Sequence, residues 1–387
     1  NTINNDPFFS KNKVLILDLI LLSWVFYVLF PLLSIGFISD EAYNSQILGK
    51  NISEGVTLWE RVYSEIHGWL TGSGRFWPFN WFYKYGLYTL QPTPFVVKLI
   101  TLIIVALNVL FYAKIIQFIT KDRNLSYICA FIVPIFFQFR LWHDPIMAFT
   151  FMIPLISLFL FSTTYLLINY LEENKLGTIS LFGFLYLLSL WTYELTYVFV
   201  SFYVLIVIFA KQRRGWWKPL LLIIAMTSLH VFITIYFKDP NRNEYPGSAL
   251  NFDYQVIFSS LLVQITSAFP LSWKIANAPA HESLTKITYS VLLIFSFFSF
   301  IVTAQLNKVK GSLSGTSTSI KLFIFSLALL FVPAIPIVLT GHQHELIEMG
   351  FGYGYIVVFI QYFGASALFI YLIYYIKNRY FFKNHPN

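Results

Sequence analysis

Two adjacent carboxylates, Asp40 and Glu41, stand where the first long apolar run ends, in the order Ser39-Asp40-Glu41-Ala42-Tyr43. A carboxylate so placed can take a proton from a hydroxyl or amide nucleophile, which is general-base chemistry. A second polar group, Arg140-Leu141-Trp142-His143-Asp144-Pro145, adds Asp144 as an acid–base candidate and Arg140 and His143 as cations for a developing phosphate charge. Gly72-Ser73-Gly74-Arg75 presents Arg75 after a glycine turn, suited to gripping a phosphate with two N–H groups. Glu194 lies among Trp191, Tyr193 and Tyr197. A carboxylate within a membrane is costly, so it faces either a pocket or a structural partner. Near the end of the chain, Thr340 to Tyr355 bring His342, His344, Glu345 and Tyr353 together among glycines, a loop suited to folding over a groove. His-x-His with one glutamate falls short of a dedicated metal site, so no residue is assigned to a metal. A divalent ion is compatible with these residues and is not indicated by them.

The elements that must position these groups follow from composition. Of 387 residues, 57% are hydrophobic and 11% charged, and the mean hydropathy is +0.66, which excludes a soluble protein. The expected fold is an all-α polytopic membrane protein forming a single transmembrane domain over 1–387, with about ten spans, ten to eleven at most. The candidate spans are 14–38, 95–119, 126–139, 146–170, 178–192, 193–210, 218–237, 287–306, 321–339 and 355–377. The first is too long for a signal-peptide core and reads as a retained span. The run 179–210 would measure roughly 48 Å as one helix, too long for one comfortable span, and is divided at Trp191-Thr192-Tyr193-Glu194. The loop 39–94 contains an amphipathic helix along the membrane surface, with Trp59, Val62, Tyr63, Ile66, Trp69 and Leu70 on one face. His67, on its polar face with Glu60, Arg61, Ser64 and Glu65, joins the substrate-binding candidates. Outer loops are also expected at 238–286, with an interfacial or re-entrant segment over 254–273, and at 340–354. A flexible cytoplasmic connector covers 307–320.

The formal charge is +8, but the basic residues are scattered at the ends of apolar runs, so they read as topology signals rather than a nucleic-acid surface. With 254–273 in the interface, 16 of the 26 lysines and arginines fall inside, and with 254–273 as a span only 12 do. The first arrangement satisfies the positive-inside rule and puts both termini in the cytoplasm. It also leaves 13 of 18 acidic residues and five of seven histidines outside, so acid–base chemistry is expected on the outer face. Cys129 is the single cysteine, which excludes a disulfide within the chain.

Many spans, a long first outer loop opening on Asp40-Glu41, a surface helix within it, and a second acidic residue in His143-Asp144 resemble the GT-C superfamily of integral-membrane glycosyltransferases. The resemblance covers most of the chain and is carried by those two short motifs. It implies a sugar donor on a polyprenyl phosphate or diphosphate, an acceptor on a cell-surface glycan or glycolipid, and single-step inverting transfer with Asp40 as base and Asp144 as the second acidic site. The expected partners are membrane lipids, the lipid-linked sugar and its acceptor, at a plasma or inner cell membrane. A transporter or flippase of lipid-linked sugars would use the same outer groove without a base, and a non-catalytic membrane subunit would tolerate loss of all three acids.

Overall fold

A computed structural model of the chain describes residues 7–140, 143–210, 215–241, 250, 252–270, 272, 316–341, 344–345, 354 and 356–380. The fold is all-helical, 80% helix with no strand among the described residues. Long α1 (Pro7–Leu29) leads through a 3-10 turn into four short helices, α2 (Asp40–Asn44), α3 (Ile47–Glu54), α4 (Leu58–Ser73) and α5 (Pro78–Thr89). There follow α6 (Pro94–Thr120), α7 (Arg123–Phe136), α8 (Met152–Glu173), α9 (Leu176–Leu190), α10 (Phe199–Phe209), α11 (Trp217–Phe237) and α12 (Tyr254–Thr266). Helices Thr316–Phe331, Ala334–Val338 and Val358–Tyr380 complete the described chain.

Six helical segments are long and apolar enough to cross a membrane: Leu15–Ser34, Pro94–Thr120, Met152–Glu173, Trp217–Phe237, Thr318–Val338 and Val358–Ile376. The apolar helices α7, α9, α10 and α12 are shorter. The expected span 287–306 lies outside the described residues, as does most of the connector 307–320. At 13 residues, α12 measures about 20 Å, less than the roughly 30 Å hydrocarbon core. The long run 179–210 breaks where α9 ends at Leu190 and a 3-10 turn, Glu194–Val198, precedes α10.

Local chemistry sets the helix ends. Pro94 occupies the first turn of α6 and the Thr93 side chain accepts from Val96 N–H, so an orphan donor is satisfied and the first turn's φ is preset. Thr57 and Glu60 form a reciprocal capping box at α4, which stops at Gly74 with φ of 66°. The expected span 146–170 starts later, at Met152. Residues 144–151 are spent on a turn in which Asp144 accepts from Ile146 and Met147 N–H. Thr150 and Phe151 there adopt left-handed φ of 46° and 49°.

α6 lies at the centre, packed against α1, α7, α8 and Thr316–Phe331. Its Tyr112 hydroxyl donates to Phe363 O at 2.9 Å and its Asn108 amide to Pro154 O at 2.8 Å. Such bonds hold helices together where lipid supplies no hydrophobic drive. Asp18 of α1 pairs with Lys114 of α6 at 2.9 Å and accepts from the Tyr127 hydroxyl. α11 leaves Leu221, Ile224, Leu229, Phe232 and Ile235 exposed, an apolar surface suited to lipid.

At one end of the bundle the connections interlock. Phe79 and Asn80 N–H both donate to Trp191 O, at 3.1 and 3.2 Å, and Asp239 N–H donates to Thr71 O at 2.9 Å. The apolar stripe of α4 divides there: Val62 and Leu70 are buried while Trp59 and Tyr63 remain exposed. α4 therefore lies on α5, with Trp69 stacked on Trp81 and Trp59 on Phe82.

Candidate functional site

The first cluster forms where α1 gives way to α2. Ser39, with φ of 52° and ψ of −123°, turns the chain so that the two adjacent carboxylates diverge. Asp40 is exposed. Glu41 is fully buried, in salt-bridge contact with Lys98 of α6, whose side chain is also 0% exposed. Lys98 donates a further bond to Met147 O at 3.1 Å, and Glu41 Oε2 accepts from Ile38 N–H at 3.4 Å. Burial pushes the Glu41 carboxyl above the ordinary carboxylate range, Lys98 pulls it back, and the charge of nearby Asp144 adds to the rise.

Asp144 is buried beside this pair and is held entirely by backbone. Arg140 N–H donates to its Oδ2, and Ile146 and Met147 N–H to its Oδ1, each at 2.8 Å. Burial outweighs these bonds and raises its pKa above the usual value. Its geometry is that of a turn-forming residue, holding Arg140, Ile146 and Met147 together beside Lys98. Of the seven non-glycine residues with positive φ among the described residues, Ser39, His143, Thr150 and Phe151 flank these carboxylates. Such conformations persist only where surrounding structure enforces them, and they cluster at functional sites.

The second cluster lies at the N-terminal end of α5. Arg75 Nε is 3.5 Å from Glu194 Oε1, and its guanidinium lies 4.9 Å from the centre of the Trp77 ring. Trp77 also meets Tyr193, with ring centres 5.3 Å apart. Nearby, His230 of α11 hydrogen-bonds Tyr197 through Nδ1 at 2.7 Å and Phe76 O through Nε2 at 3.0 Å, a structural tie between helices. The clusters share an end of the molecule. The buried face of α5 joins them: Trp77, Asn80, Lys84 and Tyr88 recur at helical spacing, and Trp77 and Lys84 are about 10 Å apart along the axis.

The remaining candidates are dispersed. The Arg140 guanidinium is buried and donates to Gly354 O and to Ser267 O at 3.5 Å, tying three distant segments together. His143, half-buried with φ of 50°, stacks on Phe149 at 5.9 Å. His67 is exposed on α4 and stacks on Tyr63. His344 is buried, with Nε2 bonded to Val338 O at 2.9 Å, where it closes the end of helix Ala334–Val338. Glu345 is exposed. His342 and Tyr353 lie outside the described residues.

Two lysines were not singled out in the sequence. Lys98 is the one charge in the first half of an otherwise apolar run, and a cation there needs a carboxylate. Lys84 is 5% exposed, and burial pulls its ammonium down to about 8 against the raising influence of Asp40.

The long apolar helices, with a charged, strained assembly at one end, define an integral membrane protein. No protein-family model, curated protein or solved structure matches this chain.

Proposed function

We propose that the chain is an integral-membrane glycosyltransferase of GT-C type. It moves a sugar from a polyprenyl phosphate or diphosphate to an acceptor hydroxyl or amide of a surface glycan or glycolipid, with Asp40 as general base. The observation that supports this most directly is the divergence of the two adjacent carboxylates. Glu41 is consumed by Lys98 inside the protein, whereas Asp40 is exposed on a strained turn and has no hydrogen bond or ion pair among the described residues. A base must be accessible to its acceptor and keep a free oxygen, and Asp40 meets both conditions.

In the proposed step Asp40 takes the acceptor proton as the acceptor oxygen or nitrogen attacks the anomeric carbon. The bond from that carbon to the phosphate oxygen breaks, and the lipid phosphate leaves with the electron pair. Attack opposite the leaving group inverts the anomeric centre. Glu41, Lys98 and Asp144 position the turn that presents Asp40. No cofactor is required by this step.

The charges support an extracytoplasmic site. Lys114, Lys121, Arg123, Lys175, Lys218 and Lys321 lie at the end opposite Asp40, which the positive-inside rule makes cytoplasmic. In this reading α7, α9, α10 and the segment 287–306 complete ten crossings, and both termini are cytoplasmic.

The test is Asp40→Asn in membranes supplied with lipid-linked sugar. Transfer should fall to background while the full chain accumulates at wild-type level. Unchanged turnover would sink the assignment, and movement of intact lipid-linked sugar across the bilayer, with no bond cut, would make the protein a flippase.

A further inference from the structure

We propose that the buried face of α5 around Asn80 and Lys84 is a binding site for a phosphate-class oxyanion. The site stands on unsatisfied donors. Asn80 is 1% exposed, and neither its amide nitrogen nor its amide oxygen has a hydrogen-bond partner among the described residues. Lys84, one turn further along the same face, is 5% exposed. Among the described residues its ammonium has only the Met152 thioether sulfur as acceptor, at 3.8 Å, with the Trp81 ring centre 5.9 Å away. The Trp81 indole N–H, on the same turn of helix, also lacks an acceptor.

Buried polar groups are ordinarily paired, and an ammonium withdrawn from water is among the costliest to leave alone. The same protein shows the ordinary solution at Lys98, which has both Glu41 and Met147 O. Among the described residues Lys84 has no oxygen as hydrogen-bond acceptor. Asp40 acts on it only through its charge. The two side chains offer three ammonium and two amide N–H groups within one helical turn, a donor-rich patch matched by a ligand with several anionic oxygens. A tetrahedral phosphate supplies them. Thioethers are weak acceptors on flexible stems, so Met152 is readily displaced from Nζ.

The cations picked out by residue type are already engaged: Arg75 with Glu194, Arg140 with two backbone carbonyls. On the transferase reading, on which this identification of the ligand rests, Lys84 therefore holds the phosphate of the lipid carrier beside Asp40. The donor set itself accepts phosphate from a lipid headgroup or from free solution.

The test uses the full chain in detergent or nanodiscs, titrated with polyprenyl phosphate, the uncharged polyprenol and inorganic phosphate, and read by thermal shift and native mass spectrometry. Polyprenyl phosphate should bind saturably and polyprenol should not. Lys84→Met and Asn80→Leu should each weaken binding roughly 10- to 100-fold, the range for hydrogen bonds to a charged group, while Lys84→Arg retains it. Without ligand, Lys84→Met should melt at or above the wild-type temperature, because it removes an unpaired buried charge. Inorganic phosphate binding with the same Lys84 dependence would support the site as one for free phosphate as well as headgroups. Wild-type affinity in both Lys84→Met and Asn80→Leu, or equal binding of polyprenol, would overturn the proposal. Asp40→Asn separates it from the transferase reading: turnover should vanish while lipid-phosphate binding stays. Lys84-dependent binding in a wild-type protein that transfers no sugar would sink the transferase and leave the oxyanion site standing.

Discussion

Glu41 and Lys98 are both completely withdrawn from solvent, and each makes the other's burial tolerable. Removing one partner of such a pair strands a charge, at a cost of about 3–5 kcal/mol, whereas replacing both with apolar groups is often neutral or better. Glu41→Gln should therefore lower the unfolding midpoint markedly, and the combined Glu41→Leu, Lys98→Met protein should recover most of the loss, as read by denaturation in detergent. A neutral single substitution would mean that water reaches the pair. This scale is also where the sequence was least informative. Two carboxylates in adjacent positions signalled chemistry, yet only the left-handed turn at Ser39 decides which of them enters the protein. Arg140 carried the residue type of a phosphate clamp, but its partners are 127 and 214 positions away in the chain, a distance no local pattern encodes. Lys84 was concealed differently: its spacing from Trp77, Trp81 and Tyr88 was readable as a helix face, while its having a thioether rather than an oxygen acceptor among the described residues depends on what α8 places opposite.

Elements were more legible, because lipid-facing and buried helices alike must be apolar and their runs are long. α6 and α11 fall within a residue or two of their expected limits. Discrepancies arise where a polar side chain spends residues on a turn, as Asp144 does ahead of α8, or where another element covers a stripe, as α5 does for α4. How closely two helices approach is not written in hydropathy at all. Gly364 and Gly183 look alike in sequence and differ in the structure. A methyl on Gly364 would come within 2.8 Å of Ser326 O and Leu329 Cβ and 2.9 Å of Leu330 N, backbone and stem atoms that cannot turn aside. At Gly183 it would meet the Leu222 Cδ2 atom at 2.7 Å, the end of a side chain that can. Gly364→Ala should force apart Thr316–Phe331 and Val358–Tyr380 and cost about 1–3 kcal/mol, since small residues set such contacts in membranes. Gly183→Ala should be tolerated by rotation of Leu222. Parallel thermal-denaturation curves of the two variants test the contrast, and equal melting temperatures would contradict it.

For the molecule as a whole, the decisive property is the opposition of its ends. Asp40, Glu41, Asp144 and Glu194 gather at the end where the first loop folds over α5, while Lys114, Lys121, Arg123, Lys175, Lys218 and Lys321 lie toward the other. The apolar belt between them, with α11 almost wholly exposed along one side, has no comfortable place except within a bilayer. In the proposed topology the basic loops stay in the cytoplasm and Asp40 faces outward. The single native cysteine, Cys129, is fully buried, so it gives little background to thiol labelling. Ser53 on α3 and Glu172 at the end of α8 are exposed at opposite ends. In intact cells a membrane-impermeant maleimide should label Ser53→Cys and leave Glu172→Cys untouched until the membrane is opened. The reverse pattern would put the Asp40 end in the cytoplasm and remove the basis for chemistry on an outer surface. Labelling of both without permeabilisation would mean that the helices between them do not cross the membrane in the order proposed.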